Sequence, residues 1–316
     1  MNRANVLGKA SGLPSHKRKR WFFDKLQMNY HLMMFPGVVL LIIFSYVPMY
    51  GIIMAFQKYI PSLGFAGSKW VGFKNFQYIF SIPDVQAKFA NTLILACASI
   101  VLDMIVPLVF AILLNEVRHS AYKRTIQTIV YLPHFISWVT LGLIFRQFLS
   151  LNGFVNNTIE ALGMEKIYIL GSNLYFRPML IITNCWKSFG WGTIIFLASL
   201  TNIDPALYES ARIDGASRFQ RVLHITLPGM MSVVILKLTL SLGGVLSANF
   251  DQVFNLYNTL VYDTADIIDT YVYRMGLVQA QYSLSTAVGL LKSAISFVLI
   301  VASYGLSYKY ADYRIF

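Results

Sequence analysis

Charged residues are scarce in this 316-residue chain, and acidic residues are especially few. Only 13% of the residues are charged, against roughly a quarter in soluble domains, while 56% are hydrophobic. The mean hydropathy is +0.57. The 26 Lys and Arg outnumber the 14 Asp and Glu, but they adjoin apolar runs and do not alternate with stacking aromatics. We therefore interpret them as membrane topology signals and expect no nucleic-acid partner.

Residues that bind metals or catalyse reactions are also sparse. The two cysteines, Cys97 and Cys185, lie in apolar runs without a CxxC or metal-ligand spacing. The five histidines are scattered, which disfavours a membrane-embedded transferase with clustered His, Asp or Glu. No GxxxxGK[ST] phosphate-binding loop occurs. We therefore expect no catalytic site, metal or cofactor in this chain.

Long apolar runs make up most of the chain. Six of them can cross about 30 Å of hydrocarbon, which takes about 20 helical residues. Because lipid offers no partner to an open backbone, these runs predict an all-α membrane protein with six transmembrane helices. The prolines inside them predict kinks. The runs are His31–Phe56, Phe89–Asn115, Ile126–Phe145, Pro178–Ile203, Gly229–Phe250 and Tyr282–Tyr308.

The basic residues predict the orientation. Residues 1–29 hold seven Lys and Arg without an apolar core, so we expect a basic cytoplasmic tail and no cleavable signal peptide. This tail could recruit a partner or meet anionic lipid. With the N-terminus inside, fifteen Lys and Arg lie on the inner side and eight on the outer side. The asymmetry places both termini in the cytoplasm, with one permease domain over residues 30–316.

A polar segment, residues 204–228, separates two apolar runs and has its own folding signals. Asp204 is a good N-cap and Pro205 suits the first helical position, which predicts a helix to about Ile213. Gly215 can adopt the left-handed conformation that ends a helix. The segment therefore begins as a short cytoplasmic helix followed by a turn.

A second helix is predicted after that turn. Ser217 and Gln220 have the spacing of a capping box, and Pro228 marks the start of the next segment. The pattern predicts that four residues of this helix share one face: Phe219, Val222, Leu223 and Thr226. A helix-turn-helix of this kind, held against a membrane, suits recognition by a partner protein.

The same segment resembles the EAA loop of bacterial ABC importer permeases. That loop reads Glu-Ala-Ala, three residues, Gly, nine residues, Ile-x-Leu-Pro, and every spacing agrees here, with Ser210 in place of Ala. The resemblance implies coupling helices that sit in a cleft of an ATPase subunit, a helix-in-groove mode. The coupling residues it implies are Glu209, Ser210, Ala211, Asp214, Gly215, Ala216, Ile225, Leu227 and Pro228.

Other segments resemble the MalF-type carbohydrate permeases, closest to the six-span branch for oligosaccharides and polysaccharide fragments. The resemblance covers residue 30 to the end and implies a five-helix core after an extra first helix. It implies a second homologous permease, two ATPases and an extracytoplasmic solute-binding protein as partners. The segments that carry it are Trp70–Phe76, Trp186–Thr193, Phe250–Phe254 and Asp266–Gly276.

Two roles are open for Glu209. Its carboxylate could pair with a basic residue of the ATPase or of the neighbouring helix, or it could favour the dipole of its own helix. In either case, the resemblance implies that closure of the ATPases would draw the coupling loops together and rock the helix bundles, exposing a cavity to each side in turn.

Polar and aromatic residues in the spans are candidates for the sugar path. Trp186 and Trp191 could stack on sugar faces, or they could belong to an interfacial belt. Asn249, Asp251 and Gln252 could bind hydroxyl groups, although Asp251 and Gln252 could simply lie outside the span.

Three lysines fall inside the spans, namely Lys187, Lys237 and Lys292. Asp103 is the one acidic residue at comparable depth. One of them could pair with Asp103, while others could reach an interface or face a wet cavity. We hypothesise that at least one faces the cavity and meets acidic sugars such as uronates. An ion-coupled secondary transporter is the alternative function, but it would ordinarily show paired intramembrane acids and an inverted repeat.

Overall fold

The structure is a computed structural model that describes residues 25–247 and 249–311. The predictions for the basic tail before residue 25 and for Arg314 lie outside the described residues. The chain divides into two compact units, Met1–Gly51 and Ile52–Phe316.

A segment of membrane length with a largely exposed apolar surface begins in the first unit. Its helical elements are α1 (Lys25–Leu41), a π-turn (Ile42–Tyr46) and α2 (Val47–Met49). With the 3-10 segment Tyr50–Phe56, they give Met28–Phe56 the length and composition of a span. The first predicted span, His31–Phe56, is confirmed to within a turn.

The second unit is almost entirely helical. Its helices are α3 (Gly64–Gly67), α4 (Lys74–Ser81), α5 (Pro83–Asn115), α6 (Ser120–Tyr131), α7 (Trp138–Phe148), α8 (Phe154–Ala161), α9 (Asn173–Leu200), α10 (Pro205–Ile213), α11 (Arg218–Arg221), α12 (Leu227–Gly243), α13 (Phe250–Leu256), α14 (Tyr262–Ala265), α15 (Ile268–Tyr273) and α16 (Tyr282–Ala311). The two-residue strands β1 (Gln57–Lys58) and β2 (Lys69–Trp70) pair antiparallel. Shorter segments are the 3-10 turns Leu132–Phe135, Ile169–Gly171 and Thr259–Val261 and the π-turns Val222–Thr226 and Arg274–Val278.

Four continuous helices of the described chain have the length and composition of membrane spans, and they are Met28–Phe56, Pro83–Asn115, Arg218–Gly243 and Tyr282–Gly305. The pair α6 and α7 adds a fifth if it is counted as one span. The helix α9 has 28 residues but is too polar for the same count. The all-α membrane fold is thus confirmed, whereas composition alone does not confirm six spans.

The third predicted span, Ile126–Phe145, is not one straight helix. Ser120–Phe135 and Trp138–Phe148 meet at an angle of 98°. Ile136 is extended, with ψ 133°, and Ser137 caps α7 by accepting a hydrogen bond from the Thr140 amide. The break is difficult to predict from the sequence, because the N-cap of α7 is a single serine, Ser137, within an apolar run.

The fifth predicted span, Gly229–Phe250, is shifted. The helix begins at Arg218 in the polar segment, passes through a π-turn, and ends at Gly243. Gly244 follows as its C-cap. Glycine loses more backbone entropy in a helix than other residues do, so a helix ends readily there. A separate helix, α13, then starts at Phe250.

Two apolar clusters lie at opposite ends of the bundle. We call the end where α5 finishes and α12 begins the loop end, and the end where α5, α9 and α16 begin the far end. A large cluster at the far end includes Phe176, Ile267 and Val288. A smaller cluster at the loop end joins α5, α9 and α12 and consists of Ala111, Phe196, Leu200 and Met230. Each cluster fixes the helices around one part of the functional site.

Two glycines allow α9 to pack closely against its neighbours. A Cβ at Gly190 would lie 2.0 Å from the Val130 carbonyl oxygen, so the backbones of α6 and α9 touch there. A Cβ at Gly192 would lie 3.0 Å from Pro107 Cγ and 3.1 Å from Lys237 Nζ. Side chains at these positions would push apart the spans that surround the middle of α9.

Candidate coupling site and translocation path

The first half of the coupling loop, residues 204–228, folds as its sequence predicts. Asp204 Oδ1 accepts a hydrogen bond from the Ala206 amide at 2.9 Å, and Pro205 opens α10. The helix ends before Gly215, whose φ is +77°. Because a left-handed residue with a Cβ is strained, glycine sets this turn.

The second half confirms the capping box. The Ser217 amide donates to Gln220 Oε1 at 2.8 Å, and the Gln220 amide donates to Ser217 Oγ at 3.3 Å. The Tyr208 hydroxyl lies 2.9 Å from Thr226 Oγ1 and joins the two halves. Since α11 continues through the π-turn into α12, a force on the loop acts directly on a membrane helix.

The loop presents apolar side chains to its surroundings. No residue of α10 or α11 is buried. Ile213 and Phe219 are 87% and 73% exposed, and Leu223 is also exposed. The four residues predicted to share a helix face differ in exposure, since Thr226 is buried while Phe219 and Leu223 are exposed. The π-turn inserts an extra residue into the helical repeat and separates these side chains.

A cavity of about 570 Å³ lies between the loop and the end of α5. Four arginines and two glutamates line it: Arg118, Arg212, Arg218, Arg221, Glu116 and Glu209. Arg218 reaches Glu116 at 4.0 Å, whereas Glu209 forms no ion pair with any described residue. Glu209 lies beyond the first turn of α10, where the helix dipole has little effect on a carboxylate. The position of Glu209 therefore disfavours a role in stabilising its own helix.

Lys237 and Asp103 meet between α5, α9 and α12. Lys237 Nζ donates to the Asp103 carbonyl oxygen at 2.6 Å, and Ser188 Oγ donates to the Asp103 carboxylate at 2.5 Å. Lys237 also lies 4.7 Å from the ring centroid of Phe196. The structure thus binds Lys237 through the backbone of Asp103, and no carboxylate oxygen lies within 4.0 Å of its Nζ in the described residues.

Lys187 has no carboxylate partner within 4.0 Å in the described residues. Its Nζ donates to the His134 carbonyl oxygen at 2.7 Å, at the break between α6 and α7. It also lies 5.7 Å from the Trp138 ring centroid. One ammonium proton is therefore used by the backbone, and the charge itself is not neutralised.

Lys292 of α16 forms an ion pair with Asp269 of α15. Its Nζ lies 2.5 Å from Oδ1 of Asp269, and both side chains are at most a quarter exposed. Asp269 lies in the first turn of α15, which packs against α16. This lysine therefore joins two elements of the far end.

The two predicted aromatic residues of α9, Trp186 and Trp191, are both exposed. Trp191 stacks on His134 with ring centroids 4.6 Å apart and planes 3° apart. Trp186 meets Phe145 edge to face at 5.9 Å. Both tryptophans are more than 40% exposed, so their remaining faces are free to meet a ligand or lipid.

The predicted polar residues around α13 are placed differently from one another. Gln252 is buried, and its amide nitrogen donates to the Leu180 carbonyl at 2.7 Å and to Thr183 Oγ1 at 2.9 Å. Asp251 is exposed. Asn249 has φ 20° and lines a narrow space of about 10 Å³ beside Gln252. The structure brings Asn249 and Gln252 together and leaves Asp251 outside.

A family model for the binding-protein-dependent transport system inner membrane component matches residues 103–316, about two thirds of the chain. The chain belongs to this family. It is a transport permease of ABC importers in the inner membrane, and it is not an enzyme. The alternative of an ion-coupled secondary transporter is therefore wrong.

Curated relatives cover nearly the whole permease. Protein LplB of Bacillus subtilis (strain 168) is 42% identical over 307 residues, which are 97% of this chain and 94% of LplB. The polygalacturonan/rhamnogalacturonan transport system permease protein YteP of the same organism is 42% identical over 302 residues, which are 95% of this chain and 94% of YteP. The similarity therefore extends beyond the family model to the N-terminal part of the permease.

A solved structure has the same fold. It is a chain of a bacterial ABC transporter involved in the import of the acidic polysaccharide alginate, with a TM-score of 0.84 and 36% identity, covering 90% of this permease and 97% of that chain. A second crystal structure, of the bacterial alginate ABC transporter in complex with an alginate pentasaccharide-bound periplasmic protein, matches this chain with a TM-score of 0.83. The resemblance to MalF-type importer permeases is confirmed at the level of fold.

The sequence interpretation missed a buried charge cluster at the far end of the permease. Asp266 is fully buried and binds Arg274 at 2.6 Å and Lys88 at 3.5 Å. The Arg274 guanidinium lies 4.6 Å from the Tyr262 ring centroid, and Asp266 raises its pKa although burial lowers it. Burial, reinforced by Tyr262, raises the pKa of Tyr257 to about 12. Lys88 and Arg274 belong to the eight outer Lys and Arg of the topology count, and their ion pairs with the buried Asp266 identify them as structural.

Proposed function

We propose that this permease forms half of the translocation path of an importer for oligosaccharides or polysaccharide fragments that carry acidic groups. The observation that carries the proposal is the Lys187 ammonium, which has no ion pair in the described residues and shares α9 with the exposed Trp186 and Trp191. Its Nζ donates one hydrogen bond to His134 and has no carboxylate within 4.0 Å in the described residues. Two donors of the ammonium are left for a ligand.

The surroundings of Lys187 support a sugar ligand. Trp186 and Trp191 flank it in sequence on α9, and each keeps an exposed ring face. Sugar rings present C–H groups that pack on aromatic faces, while a uronate carboxylate would accept hydrogen bonds from the lysine. Lys292 is paired with the Asp269 carboxylate, and Lys237 binds the Asp103 backbone carbonyl over the fully buried Phe196 ring, so Lys187 is the candidate for recognition of acidic groups.

The names of similar proteins support the same substrate class. One relative is described as a polygalacturonan/rhamnogalacturonan permease, and the solved neighbour imports alginate. Other relatives are described as permeases for arabinooligosaccharides and lactose, which are neutral. Sugar transport is common to these names, and acidic sugars are named for the relatives of higher identity.

We also propose the assembly and its orientation. A second homologous permease completes the path, two cytoplasmic ATPases bind ATP and Mg²⁺ and dock on the coupling loop, and a solute-binding protein delivers the substrate at the far end. Both termini and the loop end then lie in the cytoplasm. The excess of Lys and Arg on that side and the exposed apolar residues Ile213 and Phe219 support this arrangement.

Uptake of labelled sugars by cells with the intact importer tests the substrate. The probes are oligogalacturonates, alginate oligosaccharides and neutral arabino-oligosaccharides. We expect the wild type to import an acidic probe, and Lys187→Met to reduce that uptake by about tenfold or more, since a hydrogen bond to a charged group contributes roughly 1.5–3 kcal/mol. Lys58→Met, at an exposed lysine outside the spans, is the matched control and should not change uptake. Import of the neutral probe alone, or an unchanged Lys187→Met, would contradict the proposal.

Alkaline phosphatase fusions test the orientation, because this enzyme is active only outside the cytoplasm. A fusion in the segment 162–168, between α8 and α9, should be active, and one at Ala216 should be inactive. The opposite pattern would place the coupling loop outside and remove the basis for ATPase docking.

A further inference from the structure

Pro107 creates a defect in the middle of α5. In an α-helix each amide donates to the carbonyl four residues earlier, and proline has no amide hydrogen. The carbonyl without its helical donor is therefore that of Asp103. Within the membrane no water is available to replace that donor, so the oxygen needs another partner.

Lys237 supplies that partner from a different span. Its Nζ lies 2.6 Å from the Asp103 carbonyl oxygen, a short hydrogen bond from a charged donor. The same residue's carboxylate is held by Ser188 from α9 and carries the opposite charge. One residue of α5 thus binds a lysine of α12 through its backbone and a serine of α9 through its side chain.

The space around the lysine is shaped for this contact. Gly192 has no side chain, and a Cβ there would lie 3.1 Å from Lys237 Nζ and 3.2 Å from Pro107 Cβ. The fully buried ring of Phe196 lies 4.7 Å from the ammonium on the loop side. Phe196 also belongs to the apolar cluster that holds α5, α9 and α12 at the loop end.

The helices joined here are those that border the coupling loop. α9 ends at Leu200, four residues before the loop, and α12 continues directly from it. We infer that Lys237 is a positioning residue for transport, in which its ammonium replaces the amide that Pro107 lacks and holds α5, α9 and α12 in one arrangement above the coupling loop.

This role differs from contact with the substrate. A lysine that only binds an acidic sugar does not depend on the residue at position 107. A lysine that replaces an amide becomes dispensable when Pro107→Ala restores that amide. The proline therefore provides a rescue experiment that separates the two roles.

The comparison requires a background without an isolated charge, because Lys237→Met alone would leave the Asp103 carboxylate without its cation. We therefore compare Asp103→Asn/Lys237→Met with the same pair carrying Pro107→Ala, in the assembled importer. The first should lower the apparent melting temperature by roughly 4 °C or more, since it leaves an unpaired carbonyl. The added Pro107→Ala should recover most of that loss.

A second readout reports positioning directly. Spin labels at Leu113 on α5 and Met231 on α12, both exposed, give the distance between these spans by double electron–electron resonance, after Cys97 and Cys185 are replaced by Ser. Without nucleotide, and well below the melting temperature, the distance distribution should broaden in the lysine variant and narrow again with Pro107→Ala. A change in melting temperature without broadening would overturn the positioning role.

Lys187→Met is the matched control, because Lys187 also donates to a backbone carbonyl, that of His134, but at another break. Pro107→Ala should not recover its melting temperature. Recovery there, or failure of recovery in the Lys237 variants, would overturn the inference. If the Lys237 variant does not assemble, recovery of assembly by Pro107→Ala supports it, and continued failure overturns it.

Discussion

Asp266 and Arg274 form a bidentate ion pair at the far end of the permease. Arg274 Nη2 lies 2.6 Å from Oδ2 and Nη1 lies 3.2 Å from Oδ1, and the Asp266 side chain is fully buried. Because removal of the carboxylate charge would leave Arg274 without its ion-pair partner and Lys88 with Asp84 alone, we expect Asp266→Asn to lower the free energy of unfolding by about 3–5 kcal/mol. Thermal melting of the purified permease complex measures this loss.

The control for this prediction is an exposed ion pair of similar length. Lys166 and Glu160 lie 3.1 Å apart, but their side chains are 32% and 63% exposed. Lys166→Met should therefore cost at most about 1 kcal/mol. Equal losses from Lys166→Met and Asp266→Asn would show that burial does not determine the contribution of Asp266.

Glu209 should act on the ATPase and not on the stability of the permease. It lines the cavity behind the loop and forms no ion pair within the described residues. We expect Glu209→Lys to leave the melting temperature of the permease nearly unchanged, to reduce ATPase copurification and to abolish uptake. Ser210→Ala, the residue usual in the EAA loop, is the control and should keep both. Unchanged copurification and uptake in Glu209→Lys would contradict the docking role.

The local structure of the coupling loop was predictable because its signals are short in range. Asp204 caps a helix through an amide two residues away, and Ser217 and Gln220 cap the next across three residues. Gly215 needs only its own φ. Such features depend on neighbours in sequence, so the residue types are sufficient.

The partners of the charged residues in the spans were not predictable in the same way. The sequence suggested that one lysine could pair with Asp103, but Lys237 is 134 residues away and makes its contact with a backbone atom. The break after Phe135 depends on a single cap, and the burial of Asp266 depends on how α5 and α15 pack. These features are set by tertiary packing, which composition and periodicity do not encode.

Gly215 and Gly163 form a natural pair for testing the coupling turn. Both have φ +77°, and a Cβ at either position would meet nothing within 4 Å. Gly215→Ala and Gly163→Ala should therefore cost a similar amount, about 1–2 kcal/mol, through backbone strain alone. Only Gly215→Ala should also reduce ATPase copurification and uptake, because it changes the angle between α10 and α11. Equal uptake by the two variants would show that this angle is not required for coupling.

Gly190 and Gly289 test whether close packing of α9 is required for the fold. A Cβ at Gly190 would lie 2.0 Å from the Val130 carbonyl oxygen, a backbone atom that cannot rotate away, whereas a Cβ at Gly289 in α16 would meet nothing within 4 Å. Gly190→Ala should thus destabilise the permease by at least about 1–3 kcal/mol. Gly289→Ala should be neutral or stabilising by up to about 1 kcal/mol, since alanine favours a helix over glycine. Melting temperatures of the two variants measure the difference, and a stable Gly190→Ala would mean that α6 and α9 do not approach at this point.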